Sequence, residues 1–132
     1  MALIHTCYRI TDIERSVGFY EALGFEEVAR LPIRDEAINV FMNQRGDGDM
    51  PRLELTYNFG VDSYEIGTAY GHIAITADDL DATLERLAAQ GIAPEKPPYS
   101  VSEGGSRLCF VRDPDGYRVE IIEQPTADQT HR

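Results

Sequence analysis

Hydrophobic and polar positions alternate in several short runs of this chain. The run RLELTYN, positions 52 to 58, sets Leu53, Leu55 and Tyr57 on one side of an extended backbone and Glu54, Thr56 and Asn58 on the other. The same period of two runs through residues 5–10, 72–76 and 117–123. In the first of these Ile4, Thr6, Tyr8 and Ile10 oppose His5, Cys7 and Arg9. In the second Ile73 and Ile75 oppose His72, Ala74 and Thr76, and in the third Val119 and Ile121 oppose Arg118, Glu120 and Ile122. Further strands are expected over 26–30, 37–43 and 107–111, with a short one over 93–96.

Two segments switch to a helical period. The first opens with Thr11-Asp12-Ile13-Glu14, the pattern of a capping box, carries Ile13, Val17 and Tyr20, and stops at Gly24. The second opens around Asp78 and Asp79, carries Leu80, Leu84 and Leu87, and stops at Gly91. Leu80, Leu84, Leu87 and Gly91 each lie 67 positions after Ile13, Val17, Tyr20 and Gly24, which marks an internal duplication. Each half reads β-α-β-β-β. The expected organisation is α+β, with a first βαβββ module over 1–60, a linker over 61–70, a second βαβββ module over 71–124 and a polar tail over 125–132. Asp113-Pro114-Asp115-Gly116 signals the turn before the last strand, and NQRGDGDMPR, positions 43 to 52, is the matching loop of the first half.

Composition narrows the partners. A length of 132 residues suits one compact unit or two small ones sharing a core. The net charge of −11, from 23 acidic against 12 basic residues, repels phosphate backbones and anionic membranes, so neither nucleic acid nor a membrane is expected as partner. No apolar run approaches the roughly 20 residues of a bilayer span. The N-terminus MALIHTCYRI lacks the basic start and apolar centre of a signal peptide. Cys7 and Cys109 fall in strands rather than in a disulfide or zinc spacing and read as small core residues, so a reducing, cytoplasmic setting is expected.

The candidate chemistry lies on the face that the helices leave open. His5, Glu54, His72 and Glu120 share it, with His72 following His5 by 67 positions and Glu120 following Glu54 by 66. Taken singly, each reads as an ordinary strand residue. As a set they offer imidazole nitrogen and carboxylate oxygen, donors suited to Zn²⁺, Ni²⁺, Co²⁺ or Fe²⁺. A closed tetrahedron of the four makes a structural site, while an octahedral arrangement leaves positions for water or substrate. The residues alone leave both open. The remaining histidine, His131, falls in the tail.

IHTCYRITDIERSVGFYEALGF near the start, YNFGVDSYEIGTAYGHIAI following LEL, and FVRDPDGYRVEIIE near the end resemble glyoxalase I, or lactoylglutathione lyase, of the vicinal oxygen chelate superfamily. The resemblance runs from about residue 3 to residue 124. It implies paired βαβββ modules whose sheets form barrel-like cavities in a homodimer. It implies His5, Glu54, His72 and Glu120 as metal ligands, with His5 and Glu54 of one chain sharing a site with His72 and Glu120 of the other. Short chains of this kind favour Ni²⁺, with Zn²⁺ or Co²⁺ as alternatives. The implied substrate is the hemithioacetal of methylglyoxal and glutathione, glutathione being the co-substrate, and the product is S-lactoylglutathione. Glu120 takes the role of base, and Glu54, its pseudosymmetric twin, is the second catalytic carboxylate, which would handle the opposite stereoisomer or orient water.

Arg9 and Asn58 match positions that hold the thiol. Two departures bear on which thiol that is: Thr68 stands where some relatives carry arginine, and Glu103 where relatives often carry lysine, leaving Arg107 as a substitute. Residues 95–105 are long enough to form a flap. The alternatives are another enzyme of the superfamily, such as an acyl-CoA epimerase, or a non-catalytic small-molecule-binding dimer. Four ligands including Glu54 favour proton transfer over the oxygen activation of an extradiol dioxygenase, because fewer metal positions stay open, and binding dimers of the superfamily usually lose these residues.

Overall fold

The computed structural model describes residues 1–124; the tail expected over 125–132, with His131, lies outside the described residues. The chain divides into two compact units, Met1–Glu65 and a second from Ile66 onward.

The first unit runs β1 (Thr6–Ile10), α1 (Ile13–Ala22), β2 (Phe25–Ile33), β3 (Ala37–Gln44) and β4 (Leu53–Asn58). Its sheet has the order β1-β4-β3-β2, with β1 and β4 parallel and the other neighbours antiparallel. Helix α1 starts because the Asp12 carboxylate accepts the Arg15 backbone N–H at 3.0 Å, satisfying one orphan donor of the first turn. Glu14, in the first turn, accepts from the Arg30 guanidinium at 3.2 Å. Gly24, at φ 93°, takes the left-handed turn that ends the helix. Val17, Phe19 and Tyr20 of α1 are buried, as are Tyr8, Ile10, Val40, Met42, Leu53 and Leu55 of the sheet. Phe19, absent from the expected stripe, meets the Tyr20 ring edge-on at 4.9 Å. Strand β2 continues past residue 30 through Pro32, which an outer strand tolerates because one of its edges needs no ladder donor.

The second unit runs β5 (His72–Ala77), α2 (Leu80–Ala88), β6 (Leu108–Arg112) and β7 (Arg118–Glu123), in the sheet order β5-β7-β6 with β5 and β7 parallel. Asp79 caps α2 through the Ala82 N–H at 3.0 Å. Leu80, Leu87, Cys109, Val111, Val119 and Ile121 are fully buried. The expected strand over 93–96 is not a regular strand. The Glu95 N–H reaches the Phe110 carbonyl at 2.8 Å, and Tyr99 bridges Leu108 through reciprocal bonds of 3.0 and 2.8 Å. Pro94, Pro97 and Pro98 remove three backbone donors from this segment, so the fourth position of the sheet is held by isolated bonds. Asp113, buried, accepts the Asp115 and Tyr117 N–H groups at 2.9 Å and so builds the turn into β7.

Candidate metal centre

In the first unit the parallel register sets Cys7 beside Glu54 and Arg9 beside Thr56. His5 stands one residue ahead of β1, where the Thr6 N–H bonds the Arg52 carbonyl at 3.1 Å. From there His5 Nε2 lies 3.7 Å from Glu54 Oε2. On the other side of Glu54 its register partner is Phe41, whose ring meets the His5 imidazole edge-on at 6.2 Å.

The second unit repeats this arrangement. Ala74 and Phe110 flank Glu120, His72 Nε2 lies 3.1 Å from Glu120 Oε1, and the Phe110 ring meets His72 edge-on at 4.9 Å. Each unit thus carries one histidine, one glutamate and one phenylalanine on its open sheet face. Sequence reasoning missed Phe41 and Phe110. The available signal was hairpin register, since each stands directly across from its carboxylate once β3–β4 and β6–β7 are paired.

These side chains fit a divalent ion. Two donors about 2.1 Å from one cation, at angles between about 90° and 120°, stand about 3.0–3.6 Å apart. The 3.1 Å spacing lies within that range and the 3.7 Å spacing just beyond its upper end. His5 Nδ1 is buried without a hydrogen-bond partner, so this imidazole is not a satisfied core histidine. The four side chains are between 17% and 35% exposed, which leaves them open to a ligand. Each unit by itself supplies one pair. Among the described residues no group of three or more His, Cys, Asp or Glu gathers to hold a metal.

The surroundings of the two pairs differ. Beside Glu54, the Thr56 hydroxyl lies 2.8 Å from Asn39 Oδ1, 3.3 Å from Cys7 Sγ and 3.5 Å from Glu54 Oε1. Cys7 is exposed on this face, contrary to the core role expected for it, while Cys109 is buried as expected. Desolvation pushes the Cys7 thiol up, so it stays protonated. Asn58 and Arg9 share the face with Glu54, and the Asn58 amide donates to the Tyr64 hydroxyl at 3.0 Å.

Beside His72, the Arg118 guanidinium stacks on the Phe110 ring at 4.0 Å and donates to Glu95 at 2.8 and 2.9 Å. Those bonds hold the Glu95 carboxyl below the usual carboxylate range. Arg107, offered by the sequence as a substitute anion binder, is committed elsewhere: it donates to Glu123 at 3.0 and 3.1 Å and to Asp81 at 3.3 Å. Thr68 and Glu103 are both exposed.

Fold and side chains together define a duplicated α+β chain that presents a histidine–glutamate pair on the open face of each sheet. The chain belongs to the Glyoxalase/Bleomycin resistance protein/Dioxygenase superfamily, which it matches over residues 2–121. It is 40% identical over 125 residues to the lactoylglutathione lyase of Haemophilus influenzae, with 93% of both chains covered. It is 36% identical to the probable chloroplastic lactoylglutathione lyase of Arabidopsis thaliana over 96% of its own length but 37% of that protein's, so the chain spans well under half of this plant relative. Glyoxalase I from Zea mays superposes with a TM-score of 0.83 at 35% identity, covering 92% of this chain and 44% of the maize chain.

Proposed function

We propose that this chain is a metal-dependent glyoxalase I, a lactoylglutathione lyase. It isomerises the hemithioacetal of methylglyoxal and glutathione, or of another low-molecular-weight thiol, to S-lactoylglutathione in the cytoplasm. The observation that carries this reading is the repeated histidine–glutamate contact, at 3.7 and 3.1 Å, on equivalent strands of a duplicated chain. Similarity across nearly the whole length to a lactoylglutathione lyase of matching size supports it.

His5, Glu54, His72 and Glu120 would hold one divalent ion, Ni²⁺ in preference to Zn²⁺ or Co²⁺. Each unit contributes only two donors, so the reading takes one pair from each of two chains in a homodimer. The bound ion supplies charge stabilisation for the oxygens as the substrate loses a carbon-bound proton. The Glu120 carboxylate takes that proton, leaving an enediolate, and a proton returns to the neighbouring carbon. Glu54, across the pseudosymmetric site, keeps its place as a ligand. Arg9 and Asn58 hold the thiol portion through a guanidinium and an amide suited to a carboxylate.

The test follows thioester formation from methylglyoxal and a panel of thiols, on metal-free protein refilled separately with Ni²⁺ and Zn²⁺. Turnover with at least one thiol, faster with Ni²⁺, is the expected result. Stoichiometric metal uptake without thioester from any thiol would overturn the assignment.

A further inference from the structure

Strand β4 ends at Asn58, and the chain turns back at once. The Val61 N–H bonds the Asn58 carbonyl at 3.2 Å, closing a four-residue turn whose third position is Gly60 at φ 81°. A positive φ at that position suits glycine, which has no Cβ to clash. The Phe59 N–H, bonded to the Glu36 carbonyl at 2.9 Å, anchors the same turn to the loop between β2 and β3. The returning chain brings Tyr64 to Asn58, whose amide nitrogen donates to the Tyr64 hydroxyl oxygen at 3.0 Å.

A phenol hydroxyl has one proton to give and lone pairs with which to accept. Asn58 takes up the accepting side. Among the described residues that bond is the only one the Tyr64 side chain makes, so the phenol proton is unspent. Asp62 and Glu65, which flank Tyr64 in the chain and could have taken that proton, are exposed and do not bond it. Tyr64 and Asn58 are both half-buried, so the pair is neither core nor free surface. Accepting one bond also polarises the O–H and strengthens it as a donor.

Asn58 stands four residues beyond Glu54 on the same sheet face, about 13 Å along the strand at roughly 3.3 Å per residue. Arg9, opposite Thr56 in register, shares that face between them. Guanidinium and phenol are both donors, and a carboxylate accepts from either.

We propose that Tyr64 is a further thiol-binding residue, selective for thiols that carry a carboxylate: its O–H, held by Asn58, donates to that carboxylate. Asn58 thus acts through Tyr64 as well as on the thiol itself. This inference rests on the thiol-binding part of the proposed function, and its test reads binding before turnover.

S-hexylglutathione, a stable thioether with both carboxylates free, is titrated calorimetrically into nickel-loaded wild type and Tyr64→Phe. The diethyl ester of the same thioether, which has no carboxylate, is titrated into both proteins. Tyr64→Phe keeps the ring and removes one oxygen atom. Loss of a hydrogen bond to a charged group weakens binding by about 10- to 100-fold, and that is the expected effect on the acid. The ester binds both proteins equally, because it offers the phenol no charged acceptor. In the thioester assay with glutathione, Tyr64→Phe raises KM by a similar factor and keeps kcat.

Unchanged affinity for the acid in Tyr64→Phe overturns the proposal. So does an equal loss for acid and ester, which would make the role of the hydroxyl one of loop packing. A wild type that binds neither thioether overturns the thiol-binding reading and this proposal with it. The expected binding pattern without thioester formation supports Tyr64 and overturns the lyase reading alone.

Discussion

Glu120 and Glu54 occupy matching positions on β7 and β4, each flanked by a phenylalanine and facing an imidazole, yet the account gives them different work. Glu120→Gln keeps an oxygen donor for the ion and removes the basic carboxylate. Turnover is expected to fall by at least about 100-fold, with metal content retained, as read by thioester assay and metal analysis of the same preparation. Normal turnover would contradict its role as base. Arg9→Ala is expected to act on the thiol instead, raising KM with kcat largely preserved, because it lies along the face from the metal pair rather than within it. An unchanged KM for every active thiol would remove Arg9 from the binding site. The histidines and glutamates were legible in the sequence because the duplication set them at offsets of 67 and 66. Phe41, Phe110 and the Thr56–Asn39 contact were not, since they depend on which residue stands across a hairpin, and that register is set by loops the pattern does not specify.

At the level of elements, the Glu123 side chain links the start of α2 to the sheet. Glu123 Oε2 accepts the Leu80 N–H at 3.0 Å, while both carboxylate oxygens accept from Arg107. The Arg107 bonds, then the backbone bond, hold the Glu123 carboxyl below the usual carboxylate range, and Arg118 does the same for Glu95. A carboxylate whose folded pKa is depressed contributes stability that is present above its unfolded value and lost as pH falls through the folded one. The melting temperature is therefore expected to drop on acidification below about pH 4.5, with a shallower drop in Glu123→Gln. An identical pH profile for that variant would assign the acid sensitivity elsewhere.

In the first unit Leu55 is fully buried at the centre of the helix-covered face, so Leu55→Ala should lose about 2–5 kcal/mol in urea unfolding. Helix starts and the strands bearing the histidine–glutamate pairs were readable from caps and alternation. The extent of β2 and the breakdown of the strand over 93–96 were not. In the second case proline removed ladder donors from a segment expected as a strand only as the counterpart of one in the first half.

For the whole molecule, the net charge of −11 opposes binding to phosphate backbones, and among the described residues no helix is long and apolar enough to cross a membrane. The two units repeat one plan, α+β with a parallel pair of strands carrying the polar side chains, as the duplication in the sequence implied. Among the described residues each unit presents one histidine–glutamate pair, and the proposal that two chains share a site is the central claim. Complementation between inactive subunits tests it most directly. His5→Ala and His72→Ala chains, carrying different tags, are co-expressed and isolated as the heterodimer. One of its two sites then contains both substitutions and the other contains none. The account predicts that each homodimer is inactive and that the heterodimer regains about half of the wild-type activity, with one tightly bound ion per dimer. A heterodimer as inactive as its parents would contradict a metal site assembled from two copies of the chain.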